Sequence, residues 1–172
     1  MSVPETSAEQ HRAAAPRHAR CFVLTVSDTR TADTDTSGRA IRELLAGAGH
    51  EIVGHRIVRD EPSEVSAVVR EQVANGAVHV VITTGGTGIT SRDGTFEAID
   101  GLLEKRLDGF GELFRMLSFH EIGAAAMLSR ATAGTMQRKA IFVLPGSENA
   151  VRLALTRLIL PELGHVLQQL GK

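Results

Sequence analysis

The chain has 172 residues, 42% of them hydrophobic and 23% charged, and a net charge of −1. That length and balance suit one soluble globular domain with a substantial core. They supply no positive field to gather nucleic acid or an anionic membrane surface, and six Phe without Trp or Tyr leave little aromatic area for stacking bases.

Residues 1–19 are polar and contain Ala and Pro but lack the apolar core of a signal peptide. They are read as a flexible N-terminal tail, leaving 20–172 as a single domain. No uncharged apolar stretch is long enough to span a bilayer, so a cytoplasmic protein is expected. The lone cysteine, Cys21, cannot form an internal disulfide, and no CxxC pair suggests zinc. It reads as a small buried apolar residue.

CFVLTVSD (21–28) reads as a first strand. In TSGRAIRELLAGAGH, Ile41, Leu44, Leu45 and Ala48 recur at helical spacing, with Gly49 at the stop. EIVGHRIVRD (51–60) is a second strand. Pro62 can open a helix whose inner face carries Val65, Val68, Val69, Gln72 and Val73. VHVVIT (78–83) is a third strand, apolar nearly throughout, as in a parallel sheet covered on both faces. TFEAIDGLLEKRL and GFGELFRMLSFHEIG read as helices, and AAAMLSRATAGTMQ as a segment with a short strand pair around Gly134. KAIFVLPG (139–146) is a strand entering a turn. The rest reads as one helix interrupted near Pro161, or as two. Alternating strands and helices predict an α/β three-layer sandwich with a mostly parallel central sheet.

In such sheets ligands lie beyond the carboxyl ends of the strands. The segments there are VSDTR, VRDEP, TTGGTG and LPGSE. Gly85, Gly86 and Gly88 permit positive φ and close approach of backbone N–H groups to an anion, with Thr83, Thr84 and Thr87 adding hydroxyls. The spacing is neither GxxxxGK[ST] nor GxGxxG, so a plain tight turn is the competing reading. Asp93 gains a use beside a phosphate cradle if Mg²⁺ lies between them, since Mg²⁺ is held by one or two carboxylates plus substrate phosphates. Asp60 could supply the second carboxylate, or cap the helix at Pro62. Asp93 could instead cap a helix or pair with Arg92. Asp28 could touch ribose, pterin or metal, or form an Asx turn. Glu112 could bind a polar ring edge or sit on a helix surface. Arg115 and Arg130 could meet phosphates or stay solvated. Ser147 could present its hydroxyl and a helix N-terminus to phosphate, cap that helix, or both. The seven histidines form no HExxH or paired spacing and read as structural or exposed. The absence of GxSxG disfavours one type of serine hydrolase.

In this order and spacing, VSDTR, DTSG (35–38), IVRDE, TTGGTGITSRDGTFEA, GFGELFRMLSF, LSRATAG and LPGS resemble the MoaB/MogA family of molybdenum cofactor biosynthesis proteins across about residues 21–160. Length and the GFGELFRMLSFHEIG and PGS stretches place the resemblance nearer MoaB. It implies an α/β sandwich that forms trimers or hexamers. It also implies use of Mg²⁺, ATP and molybdopterin, transfer of AMP onto the molybdopterin phosphate, and a molybdotransferase that takes the product. Asp60 and Asp93 match the aspartates held to be catalytic and metal-binding. Binding positions implied are Asp28, Thr84, Gly85, Gly86, Thr87, Gly88, Thr95, Glu112, Ser118, Arg130, Pro145, Gly146 and Ser147. Two alternatives stand beside this one: a molybdopterin-binding carrier or scaffold without catalysis, and the related molybdotransferase domain, for whose additional domains the chain is too short.

Overall fold

The computed structural model describes residue 16 and residues 18–172, so the expectation of a flexible tail over 1–19 falls almost wholly outside the described residues. Where description resumes, Ala19 is buried and its N–H donates to His50 Nδ1 at 3.2 Å. Six strands form one sheet in the order β2-β1-β3-β6-β5-β4. They are β1 (Arg20–Val26), β2 (Glu51–Val58), β3 (Val80–Thr84), β4 (Lys105–Arg106), β5 (Thr132–Met136) and β6 (Lys139–Leu144). β2, β1, β3 and β6 run parallel, and β5 and β4 are antiparallel additions at one edge.

Successive strand residues point to opposite faces, and the core divides accordingly. Cys21, Val23, Ile82, Phe142 and Leu144 join a cluster with Ile41, Leu45, Phe114, Leu155 and Leu163 from α1 (Thr36–Gly47), α4 (Asp108–Ile122) and the C-terminal helical run. That run comprises α5 (Glu148–Ala154), a π-helical turn at Leu155–Ile159 and α6 (Leu160–Gly171). Phe22, Leu24, Val26, Val81, Ile141 and Val143 join the other cluster with Val65, Val69, Val73 and Ile99 from α2 (Pro62–Ala74) and α3 (Thr95–Asp100). The result is the expected three-layer sandwich around a mostly parallel sheet.

One local expectation changes and two become specific. The helix at Thr95 stops at Asp100 instead of continuing to Leu107. Gly101 follows, and Glu104 and Leu107 N–H groups donate to Thr135 and Ala133 carbonyls, so Lys105–Arg106 becomes edge strand β4. Sheet pairing overrides helical periodicity there, helped by Gly134, where a Cβ would lie 2.4 Å from the Lys105 carbonyl oxygen. The segment read as a short strand pair around Gly134 begins as a 3₁₀ helix (Gly123–Leu128) and continues as β5, which pairs with β6 across Gln137 and Arg138. At the C-terminus, Pro161 lacks the N–H of an ordinary turn. The chain widens into a π turn just upstream and continues as helix.

β1 is followed through α1 by β2 on one side of it, and β2 is followed through α2 by β3 on the other side of β1. The strand order therefore reverses between β1 and β3, the kind of switch point beyond whose carboxyl ends α/β sheets place their ligands.

Candidate functional site at the strand ends

β1 leaves the sheet as Ser27-Asp28. The Ser27 N–H donates to the Val58 carbonyl at 2.8 Å, and Asp28 Oδ1 accepts the Asp60 N–H at 3.1 Å, so the ends of β1 and β2 are clipped together. β3 leaves through the glycines. Gly85 has φ 98° and approaches β1 so closely that a Cβ would lie 2.1 Å from the Val26 carbonyl oxygen. Gly86 has φ 65°, and a Cβ there would sit 2.2 Å from Thr95 Oγ1 and 2.8 Å from both Asp60 carboxylate oxygens. Side chains at either position are excluded by conformation and by space. The loop then closes on α3, with the Thr95 N–H donating to the Gly86 carbonyl at 3.1 Å.

Asp60 faces this loop and is 7% exposed. It is not the helix cap that sequence also allowed, because Glu61 occupies the capping position of α2 without a side-chain cap bond. Asp60 Oδ1 accepts the Thr95 hydroxyl at 3.1 Å. Burial pushes its carboxyl above the ordinary carboxylate range. Hydrogen bonds from Thr95 and the Gly94 amide oppose the shift, and the negative charges of Asp93 and Asp28 add to it. Asp93 lies against Gly88, where a Cβ would be 2.6 Å from its Oδ2. That oxygen accepts the Thr90 hydroxyl at 2.6 Å and the Thr90 N–H at 2.9 Å. These bonds, with the Gly88 amide and nearby Arg130, hold the Asp93 carboxyl below the ordinary range. Arg92 does not pair with Asp93. It bridges Asp28 Oδ2 and Glu61 Oε1, each at 3.0 Å, and its hydrogen bond is the main cause of the lowered Asp28 carboxyl.

On the other flank the Thr84 hydroxyl donates to the Pro145 carbonyl at 2.8 Å, and the Gly85 N–H to the Leu144 carbonyl at 3.1 Å. Ser147 caps α5, its hydroxyl accepting the Ala150 N–H at 3.3 Å. Thr87 is buried within the loop. Arg130 donates to the Gly88 carbonyl at 2.9 Å, pairs with Glu97 and covers the Phe96 ring at 4.4 Å. The loop cluster thus contains Asp28, Asp60, Asp93, Thr84 to Gly88, Thr95, Arg130 and the Pro145–Ser147 turn. Glu112 and Ser118 stand apart on α4, one exposed and one buried, with no side-chain hydrogen bond to the loops among the described residues.

Sequence reading missed a second polar group behind the β1 exit. Asp35 is fully buried, and Thr25, His55, Arg30 and Ser37 gather around it. VSDTR and DTSG carried the signal, but nothing local in either pointed to the partner strands.

Among the described residues no group of three or more His, Cys, Asp or Glu is arranged to hold a metal. Asp60, with backbone of the glycine loop against its carboxylate and two like charges nearby, nonetheless has the donor chemistry for an ion that takes its other ligands from phosphate and water, as Mg²⁺ does.

A mostly parallel sheet with a glycine loop and carboxylates at its switch point defines an α/β protein with a candidate ligand site beyond its strand ends. Residues 22–165 match the family model described as "Probable molybdopterin binding domain". Molybdenum cofactor biosynthesis protein B of Halalkalibacterium halodurans is 52% identical over 96% of this chain and 98% of its own, and that of Bacillus subtilis is 48% identical over 96% and 98%. The crystal structure of a Molybdenum cofactor biosynthesis protein B superposes with a TM-score of 0.89 at 52% identity, covering 91% of this chain and 98% of the other. The tungsten cofactor synthesizing protein MoaB of Pyrococcus furiosus superposes at 0.82 with 41% identity, covering 92% and 100%. The chain belongs to the MoaB/MogA family of molybdenum cofactor biosynthesis proteins.

Proposed function

We propose that the chain transfers AMP from Mg-ATP to the terminal phosphate of molybdopterin, releasing pyrophosphate. The observation that carries this reading is Asp60, a buried carboxylate packed against Gly86 of the glycine loop, with its pKa raised and no cation paired to it among the described residues. The nucleophile in this reaction is already an anionic phosphate, so a general base is not essential. The difficulty is to hold two polyanions in line, and positioning with charge neutralisation supplies most of the catalysis. Asp60 and Asp93 are the residues that would hold Mg²⁺, and the ion would supply neutralisation of phosphate charge there. The Gly85–Gly88 backbone cradles phosphate, Thr95 orients Asp60, and Arg130 holds the loop through the Gly88 carbonyl. Ser147 and the turn before it face the pterin substrate.

Leu113, Met116, Phe119, Ile122, Met127 and Leu128 expose large apolar side chains along α4 and the 3₁₀ helix. Faces of this kind mark association sites, which supports a working homotrimer or hexamer, with a molybdotransferase receiving the product. No described helix is long and apolar enough to cross a membrane, in keeping with a cytoplasmic place of action.

The test mixes protein, molybdopterin, ATP and Mg²⁺ and follows pyrophosphate together with adenylyl-molybdopterin by mass. Product that vanishes when Mg²⁺ is omitted supports the transferase. Tight molybdopterin binding without product refutes it in favour of a carrier, a second reading favoured by the bonding of Asp93 into its own turn.

A further inference from the structure

DTSG and the arginine of VSDTR take no part in the reaction outlined above, yet they build the most heavily bonded side-chain cluster beside it. Asp35 Oδ1 accepts the Gly38 N–H at 2.9 Å, capping α1, and also the Arg30 Nη1 at 3.3 Å and the Ser37 hydroxyl at 3.4 Å. Its Oδ2 accepts the Thr25 hydroxyl at 2.6 Å and faces His55 Nε2 at 3.0 Å. Arg30 also donates to the Ser37 hydroxyl. The guanidinium is thereby fixed from one side. From its other side Nη2 donates to the Gly146 carbonyl at 2.8 Å, 116 residues away in sequence.

Gly146 sits in the turn between β6 and α5, pressed onto the glycine loop so that a Cβ would meet Gly85 Cα at 3.3 Å. Bonds from Thr84 and Gly85 tie this turn to β3. Among the described residues, Arg30 makes the one side-chain hydrogen bond from the β1 exit to the same turn. A planar fork can serve Asp35, Ser37 and a carbonyl together, whereas a lysine ammonium offers no such fixed geometry.

We propose that Arg30, held by Asp35, is a positioning residue that fixes the Gly146–Ser147 turn relative to Asp28 and the glycine loop, and so sets the molybdopterin side of the site before substrate arrives. The kinetic part of this proposal rests on the transferase reading. The structural part does not.

The test uses the full chain with Arg30→Met and Arg30→Lys. Two quantities are read: hydrogen exchange of amides 146–150 without ligand, and KM for molybdopterin against kcat. Loss of a charge-assisted bond should speed exchange of those amides about tenfold and raise KM about tenfold, with β3 and β6 amides unchanged and kcat within about twofold. Arg30→Lys should restore neither. Unchanged exchange overturns the proposal, as does uniform acceleration across the sheet or full rescue by lysine. Should Arg30→Met not fold, Ser37→Ala loosens the same guanidinium and must show the same local exchange pattern. If the unaltered chain makes no product, the transferase reading falls, and the exchange measurement still decides the role of Arg30.

Discussion

Asp60→Asn should stabilise the unliganded protein while removing turnover. The Asp60 carboxyl is nearly fully buried and lifted above its ordinary value of 3.8, first by burial and further by Asp93 and Asp28. Its folded form therefore favours the proton. That contribution is fully present below the unfolded value and is lost as pH rises through the folded value, so at neutral pH the ionised side chain weakens the fold. Asn keeps an oxygen for the Thr95 hydroxyl at 3.1 Å and for the Gly94 amide, bonds of about 1 kcal/mol each. It removes a buried charge that faces two others. A net gain of about 1 kcal/mol is reasonable for neutralising such a site, and for a domain of this size it raises Tm by about 2–4 °C. Thermal melts of both proteins at pH 7.5 and at successively lower pH read this directly. The gap should be widest at neutral pH and close in acid, where the native carboxyl is itself protonated. A variant that melts lower than the native chain at pH 7.5, or a gap that ignores pH, would refute the reasoning.

Gly38→Ala should cost about 2–3 kcal/mol in urea unfolding, because its Cβ would lie 2.1 Å from Asp35 Oδ2 and 2.5 Å from Thr25 Oγ1. Asp93→Asn should keep the fold and molybdopterin binding and lose product formation, as should removal of Mg²⁺ with a chelator; normal turnover in the variant would exclude a ligand role for Asp93. His55 has its pKa lowered by burial, with Arg42 adding and Asp35 opposing. Its contribution is present above about 6.5 and lost as pH falls towards the folded value. Urea midpoints between pH 7.5 and 5 should accordingly decline less steeply in His55→Gln. Phe119→Glu, on an apolar face with that residue 58% exposed, should leave a folded monomer by sedimentation, and an unchanged assembly would move the interface elsewhere.

The elements that could be read from sequence are those whose cause is local. β1 and β3 are apolar runs, α1 carries its periodicity between Asp35 and Gly49, and the order of strands and helices implies the sheet. The glycine loop was legible as well, because Gly85 and Gly86 are needed for reasons of φ and space that any residue with a side chain would violate. What escaped depends on partners distant in the chain. Lys105–Arg106 has helical neighbours and becomes a strand because β5 offers unpaired backbone groups. Arg92 stands next to Asp93 in sequence, yet meets Asp28 and Glu61 from the two neighbouring strand exits. Arg30 finds its acceptor at Gly146. No spacing rule within VSDTR or DTSG could name these partners.

Two buried aspartates at the carboxyl ends of the strands show how the fold separates support from function. Asp35 is surrounded by a hydroxyl, an amide, an imidazole and a guanidinium, and these more than offset the effect of burial, so its carboxyl stays below the ordinary range. Asp60, packed against Gly86, has a hydroxyl and an amide but no paired cation among the described residues, and its carboxyl moves the other way. A buried charge without a partner is costly, and the same chain satisfies Asp35 fully. The missing positive charge beside Asp60 is the one that a metal-bound phosphate substrate would bring, and for that reason Asp60, rather than the self-bonded Asp93, is the residue on which the proposed chemistry turns.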